Sequence, residues 1–303
     1  MIKTDFLDFL NARGYSYTCN EPMRRHTSFR IGGNAAIYVL PRDIAQLCAL
    51  IETLKTTGIP YRMLGRGTNV LCPDTGYSGC VISTERLLGI ERKNSLIRAE
   101  CGASLKRLAE AAAEHGFVGW AGIAGIPASV GGAIRMNASA FGNAISDHLE
   151  SVGVFDANKR TVRLLSKEAL CCGYRKSLLP FNRDLTVLWG WFRFPSGCVA
   201  QERRRQEHNA FLRKERQPLG VSSAGSVFRN PDGDYAARLI ELSDMKGCRV
   251  GDAEVSKKHA NVIANVGNAT YGDVVTLISH VRDAVYQKFG VFLTPEIEIL
   301  RED

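Results

Sequence analysis

Ala124-Gly-Ile-Pro-Ala-Ser-Val-Gly-Gly-Ala133 sets three glycines and a proline within ten residues, preceded by apolar Trp120 and Ile123. Proline fixes φ and lacks an N–H, while closely spaced glycines let backbone approach a partner. The stretch therefore reads as a rigid, non-helical crossing whose amides can face a planar ring or a diphosphate. A second turn of this kind, Leu64-Gly-Arg-Gly-Thr-Asn69, follows the β-like run Tyr61 to Leu64. Close backbone packing would explain one glycine pair; two such turns in one half of the chain favour a ligand of dinucleotide size. A doubly wound dinucleotide fingerprint is excluded, although Glu85 lies twenty residues after Gly65. Val70 stands where the third glycine belongs, and Leu71 to Gly76 read as loop where a helix is required.

Working outward, helical spacing runs from Asp43 to Lys55 through Ile44, Leu47, Cys48, Ile51 and Leu54, with Asp43 as cap and Gly58 as stop. Ser104 caps a second helix that stops at Gly116, and a third runs from about Asp273 to Phe289, ending at Gly290. Met1 to Leu10 reads as a short amphipathic helix with no signal-peptide pattern. The β-rich runs are Ala35–Leu40, Gly79–Ser83, Leu149–Asp156, Thr161–Leu165, Leu185–Phe194 and Asn261–Asn265. Strands and helices alternate irregularly, so the class is α+β or α/β.

At roughly 150 residues per domain, 303 residues suggest two domains. Hydrophobic residues at 45% and charged residues at 23% exclude a disordered or collagen-like chain. No run approaches the roughly 20 apolar residues of a membrane span, and the chain is expected to be cytoplasmic. The net charge of +8 suits an anionic partner. Residues 202–216 hold six Lys or Arg and three Glu, which supplies +3 of that excess. This run reads as a solvated interdomain helix, the alternative being an anion or nucleic-acid contact; Phe211 is its only aromatic, which weakens a stacking role. The nine cysteines show no zinc-ligand spacing and are expected to be reduced and mostly buried, with the vicinal pair Cys171 and Cys172 as a redox alternative.

In the second half, Ser222-Ser-Ala-Gly-Ser-Val-Phe-Arg-Asn-Pro231 places a small polar turn before aromatic and basic residues, and no G-x-S-x-G elbow accompanies it. A strand over Leu293–Leu300 would set Glu296 and Glu298 on one face and Ile297 and Ile299 on the other. Glutamates on a solvated face are the default; one entering a cleft is the alternative.

Seven segments, in order and nearly spanning the chain, resemble the UDP-N-acetylenolpyruvoylglucosamine reductase family. They are His26-Thr-Ser-Phe-Arg-Ile-Gly-Gly33, Leu64–Asn69, Ala124–Ala133, Gly173-Tyr-Arg-Lys-Ser177, Ser223-Ala-Gly-Ser-Val-Phe228, Val255-Ser-Lys-Lys-His-Ala-Asn261 and Pro295-Glu296. The resemblance implies an α+β protein with an FAD-binding domain of the vanillyl-alcohol-oxidase type over 1–198, made of two α+β subdomains of about 1–85 and 86–198. A smaller α+β substrate domain over 199–303 would follow. It implies non-covalent FAD held by Gly65, Gly67, Thr68, Asn69, Ile126, Pro127, Ser129, Gly131 and Gly132. Arg175, Ser226 and Glu296 would be the catalytic trio. Asn230, His259 and Arg216 (or Arg213) would bind the sugar nucleotide.

The implied reaction is NADPH-dependent, FAD-mediated reduction of UDP-N-acetylglucosamine enolpyruvate to UDP-N-acetylmuramate in peptidoglycan precursor synthesis. Hydride addition to the enolpyruvyl double bond builds negative charge on its carboxylate, which Arg175 and a hydrogen-bonding Glu296 would stabilise. Ser226 would deliver the proton to the neighbouring carbon. The partners would be small anions, with no nucleic acid, membrane or metal, and the chain a monomer of the shorter type that lacks an extra substrate-domain loop. Departures from the family pattern are Asn137-Ala-Ser-Ala-Phe-Gly142 followed by Asn143 and Ala144, Ala128 for Gly, Thr68 for Ser and Glu298 for Arg. The competing readings are an FAD-dependent oxidase of a small hydroxy acid or alcohol on the same fold, and a non-enzymatic binding protein acting through 202–216.

Overall fold

In the computed structural model, which describes residues 4–300, helix α1 (Thr4–Ala12) buries Phe6 and Leu10. Met1 to Lys3 of the expected N-terminal helix lie outside the described residues. Helix α2 (Ile44–Thr57) starts where the Asp43 carboxylate accepts the Gln46 N–H at 2.7 Å and stops at Gly58, left-handed at φ 69°. That hydrogen bond, ahead of the neighbouring Arg42 charge, also holds the Asp43 carboxyl below its usual value. Helix α3 (Leu105–Glu114) is capped by Ser104 and buries Leu105, Leu108, Ala109, Ala112 and Ala113, the face that its spacing predicts.

Helix α4 (Val130–Met136) corrects one expectation. The stretch 124–133 is not a non-helical crossing throughout: Ser129 accepts the Gly132 N–H and starts a helix that contains Gly131 and Gly132. Glycine is a poor helix former, by about 1 kcal/mol relative to alanine, but Ser129 satisfies an amide of the first turn. The charged run forms α5 (Val199–Arg216), exposed over most of its length. Its exception is Glu202, 3% exposed, whose carboxylate accepts the N–H groups of Gly119 at 2.9 Å and Ala121 at 2.7 Å.

Helices α6 (Ala236–Leu242) and α7 (Tyr271–Phe289) complete the set. α7 starts two residues earlier than the apolar spacing suggests, because Thr270 and Asp273 cap each other reciprocally, at 3.0 Å and 2.9 Å.

Two units divide the described chain, and neither is contiguous in sequence. The first comprises Met1–Thr18, Ile37–Arg66 and Gly79–Leu212; the second comprises Cys19–Ala36, Gly67–Ser78 and Arg213–Asp303. Each has its own apolar core. In the first, an antiparallel five-stranded sheet has the order Thr161–Ser166, Leu149–Asp156, Leu185–Arg193, Leu96–Glu100, Ile90–Lys93. A four-stranded sheet has the order Ser16–Pro22, Asn34–Leu40, Tyr77–Ser83, Tyr61–Leu64, its last two strands parallel.

In the second unit, α6 packs against α7, and α7 packs beside Arg249–Val250 and Ala253–Val255, two strands of an antiparallel sheet completed by Ile263–Asn265. Val70–Leu71 pairs in parallel with Glu298–Ile299. The run expected from Asn261 begins as a strand only at Ile263, because the backbone first closes a turn, Val262 N–H donating to His259 O at 3.0 Å.

The cysteines also depart from expectation. All nine are free, as expected, but only Cys72, Cys80 and Cys101 are buried, while Cys19, Cys171 and Cys198 are exposed. Burial pushes the thiols of Cys72 and Cys101 up to about 12. Such thiols are unreactive, because the thiolate is the nucleophile.

Candidate functional site

The first unit carries Gly65 and the turn from Ile126 to Gly132. A Cβ on Gly65 would sit 2.3 Å from Ser129 Oγ, so the two glycine turns touch there. Around this contact Ile126 is half-buried against the core, whereas Gly125, Pro127 and Gly132 are exposed. This pairing of open backbone turns fits a flat, anionic cofactor. Part of the glycine pattern has a second cause within the fold. Gly131 donates its N–H to Cys101 O at 2.8 Å, and a Cβ there would lie 2.9 Å from Cys101 Cβ.

Gly67, Thr68 and Asn69 belong to the second unit. Gly67 is left-handed at φ 62°, and a Cβ would lie 1.9 Å from His26 O, so packing alone requires glycine. Asn69 Nδ2 donates to Glu296 O at 3.2 Å, and Asn69 O accepts the Glu298 N–H at 2.8 Å. The end of the glycine turn 64–69 is thus tied to the backbone of the expected catalytic glutamate.

Ser226 and Glu296 lie on neighbouring extended segments. Ser226 bridges Val262 on one side, Phe228 bridges Pro295 on the other, and Glu296 N–H donates to Val227 O at 2.7 Å. The register sets Glu296 across from Val227, next in sequence to Ser226. Ile297 is buried and Glu298 exposed, the alternation expected of this run, although only Glu298–Ile299 is regular strand.

Asn261, 4% exposed, completes the arrangement: its Oδ1 accepts the Phe228 N–H at 2.9 Å and its Nδ2 donates to Phe228 O at 2.8 Å. One side-chain amide therefore replaces a strand partner for Phe228. Ser28 Oγ donates to Ser223 O at 2.6 Å, and Asn265 Nδ2 donates to Phe29 O at 3.1 Å, which ties the motif starting at His26 to the serine turn. These supporting residues were missed as site residues. Their sequence signal is a polar amide inside an apolar β run, which must find hydrogen bonds when buried.

His259 is half-buried, and its Nδ1 lacks a hydrogen-bond partner among the described residues. Burial, ahead of the nearby Lys246 charge, lowers its pKa below the ordinary 6.5, so the ring is neutral at pH 7. Asn230 turns its Oδ1 to the Ala236 N–H at 3.1 Å, at the start of α6. Arg216 is exposed at the last residue of α5, while burial lowers the pKa of Arg213.

Arg175 lies in the first unit, so the structure groups Ser226, Glu296 and Asn69 but holds the arginine on a different framework. It occupies the third position of the turn Gly173–Lys176, closed by Gly173 N–H to Lys176 O at 2.9 Å and Lys176 N–H to Gly173 O at 3.1 Å. Its φ of 52° is left-handed, a conformation that costs a non-glycine residue on the order of 1 kcal/mol. Backbone strain of this kind persists where surrounding structure over-determines it. The Arg175 guanidinium carbon lies 5.9 Å from the centroid of the exposed Tyr174 ring.

Fold and site together define an FAD-binding α+β protein with a separate C-terminal domain. Residues 35–165 match the FAD binding domain family, and residues 217–300 match the family described as UDP-N-acetylenolpyruvoylglucosamine reductase, C-terminal domain. The UDP-N-acetylenolpyruvoylglucosamine reductase of Caldanaerobacter subterraneus subsp. tengcongensis is 41% identical over 283 residues, 93% of each chain. That of Clostridium kluyveri is 41% identical over 284 residues, 94% of this chain and 93% of its own. The crystal structure of UDP-N-acetylenolpyruvylglucosamine reductase from Thermus caldophilus superposes with a TM-score of 0.79 at 31% identity, covering 95% of this chain and 99% of its own. The chain belongs to the UDP-N-acetylenolpyruvoylglucosamine reductase family.

Proposed function

We propose that this protein reduces the enolpyruvyl group of UDP-N-acetylglucosamine enolpyruvate, with NADPH as electron donor and FAD as carrier. The observation that carries the reading is the pairing of the Ser226 segment with the Glu296 segment, anchored to the glycine turn through Asn69, in a chain with this family membership. It favours the reductase over an oxidase of small hydroxy acids. When bound, FAD supplies hydride at its N5 position.

The residues of the chain then have distinct tasks. The glycine turns at 65–69 and 126–132 would hold the cofactor: the first offers backbone N–H groups to its diphosphate, while the second, whose Gly131 and Gly132 amides are committed to Cys101 O and Ser129 Oγ, offers a surface without bulky side chains. Arg175 holds the substrate carboxylate and stabilises the charge that accumulates there. Glu296 donates a hydrogen bond to the same group in its protonated form. Ser226 would give a proton to the carbon next to the one that receives hydride, a role that a small hydroxyl can fill. Asn230, His259 and Arg216 line the sugar-nucleotide side; His259, neutral at pH 7, acts there as a hydrogen-bond donor. The positive net charge draws all three anionic ligands. The working protein is monomeric and cytoplasmic, with Met1–Cys198 binding the cofactor and Val199–Asp303 the substrate.

Anaerobic stopped-flow absorbance tests this reading. NADPH should bleach the flavin, and the enolpyruvyl sugar nucleotide should restore its colour. Bleaching of the oxidised flavin by a small hydroxy acid or alcohol, with no reoxidation of reduced flavin by the sugar nucleotide, would select the oxidase reading.

A further inference from the structure

Three hydrogen bonds join the C-terminal end of α4 to the segment that carries Arg175, and all lie within the first unit. Asn137 Nδ2 donates to Gly173 O at 2.7 Å, Ser177 Oγ donates to Arg135 O at 2.6 Å, and Arg135 Nη1 donates to Leu179 O at 3.0 Å. Asn137 is 4% exposed and ends α4 in the left-handed conformation, φ 44°. Its Oδ1 also accepts the Ser146 N–H at 3.3 Å, so both ends of the amide are engaged. The Gly173 carbonyl that it holds is also the acceptor that closes the Arg175 turn, through Lys176 N–H. α4 itself begins at Ser129, in contact with Gly65.

We infer that Asn137 is a positioning residue for Arg175: its amide holds the strained turn and couples the guanidinium to the helix that starts at the cofactor turns. The inference rests on the proposed function for what Arg175 does, and on geometry alone for how it is held. An arginine at a left-handed position relaxes toward commoner backbone angles when that grip is lost.

Asn137→Asp is the informative variant. Aspartate tolerates the left-handed conformation and keeps an oxygen for Ser146 N–H, but it presents an acceptor to the Gly173 carbonyl. Flavin reduction by NADPH should stay within about twofold of wild type, while reoxidation by the enolpyruvyl sugar nucleotide slows by about 10- to 100-fold, as expected when a positioning contact is lost. In an Arg175→Ala background the same substitution should change reoxidation by less than about twofold, because residues that act through one another are not additive. Hydrogen exchange should rise in the peptide spanning 173–179 and stay unchanged elsewhere. Asn137→Gly, which keeps the backbone conformation, should behave alike.

Equal slowing of both half-reactions, or a full effect in the Arg175→Ala background, would overturn the inference. Failure of wild-type reduced protein to be reoxidised would instead sink the proposed function. The positioning claim would then be decided by the exchange of 173–179, with unchanged exchange in Asn137→Asp refuting it.

Discussion

The two frameworks that carry the proposed catalytic groups are built by different means. Ser226 and Glu296 sit on extended segments held by backbone pairing, with Asn261 and Asn69 as side-chain anchors. Arg175 sits on a four-residue turn, at a left-handed φ, held through side chains at the end of α4. Backbone ladders are cooperative and local, so a single side-chain change there reads out mainly as stability. A turn gripped by one amide can lose its geometry while the fold persists, so a change there reads out mainly as rate.

The largest expected effect removes chemistry on the ladder without touching its backbone. Ser226→Ala should slow flavin reoxidation by about 10²- to 10⁴-fold, the usual worth of a positioned acid, while NADPH reduction changes little in stopped-flow traces. Reoxidation at the wild-type rate would remove the serine from its role. Next, Asn261→Ala leaves the Phe228 N–H and carbonyl buried without their partner. Each such group costs about 1–3 kcal/mol, so the urea midpoint should fall by an amount equivalent to about 2–6 kcal/mol. Asn137→Asp should cost less stability than this and more substrate-half rate, the inversion that the comparison demands.

Much of this was legible beforehand, for physical reasons that differ by element. α2 and α3 announce themselves through apolar spacing and capping residues, and their ends fall where Asp43, Gly58 and Ser104 place them. The start of α7 does not follow from its apolar stripe, because the Thr270–Asp273 box that sets it lies outside that stripe. α4 is hidden from local pattern, since two glycines suppress helix propensity while a serine cap with α4's packing restores it. The supporting amides Asn137 and Asn261 depend on partners 36 and 33 residues away, which no local pattern reveals. The same holds for Cys171 and Cys198, whose exposure is set by tertiary packing.

Smaller effects sharpen the contrast between the units. Thr270→Ala removes a cap of α7 in the second unit and should lower stability by about 1 kcal/mol, with no change in either half-reaction. Each unit also holds one histidine below the ordinary 6.5, His148 in the first and His259 in the second, in both cases mainly through burial. The unfolded chain takes up protons at these rings near pH 6.5, and the folded chain only at lower pH. Stability therefore falls as pH drops below about 6.5 and is recovered above it. Melting temperature should be higher at pH 7.5 than at pH 5.5, and replacing both rings by glutamine should flatten that difference. A melting temperature that rises on acidification would contradict the neutral assignment.

The most direct test of the central claim mixes anaerobic, NADPH-reduced protein with UDP-N-acetylglucosamine enolpyruvate while the flavin absorbance is followed. Rapid recovery of the oxidised spectrum, with stoichiometric formation of UDP-N-acetylmuramate, is the result that the account predicts. A flavin that stays reduced in the presence of saturating substrate would contradict it.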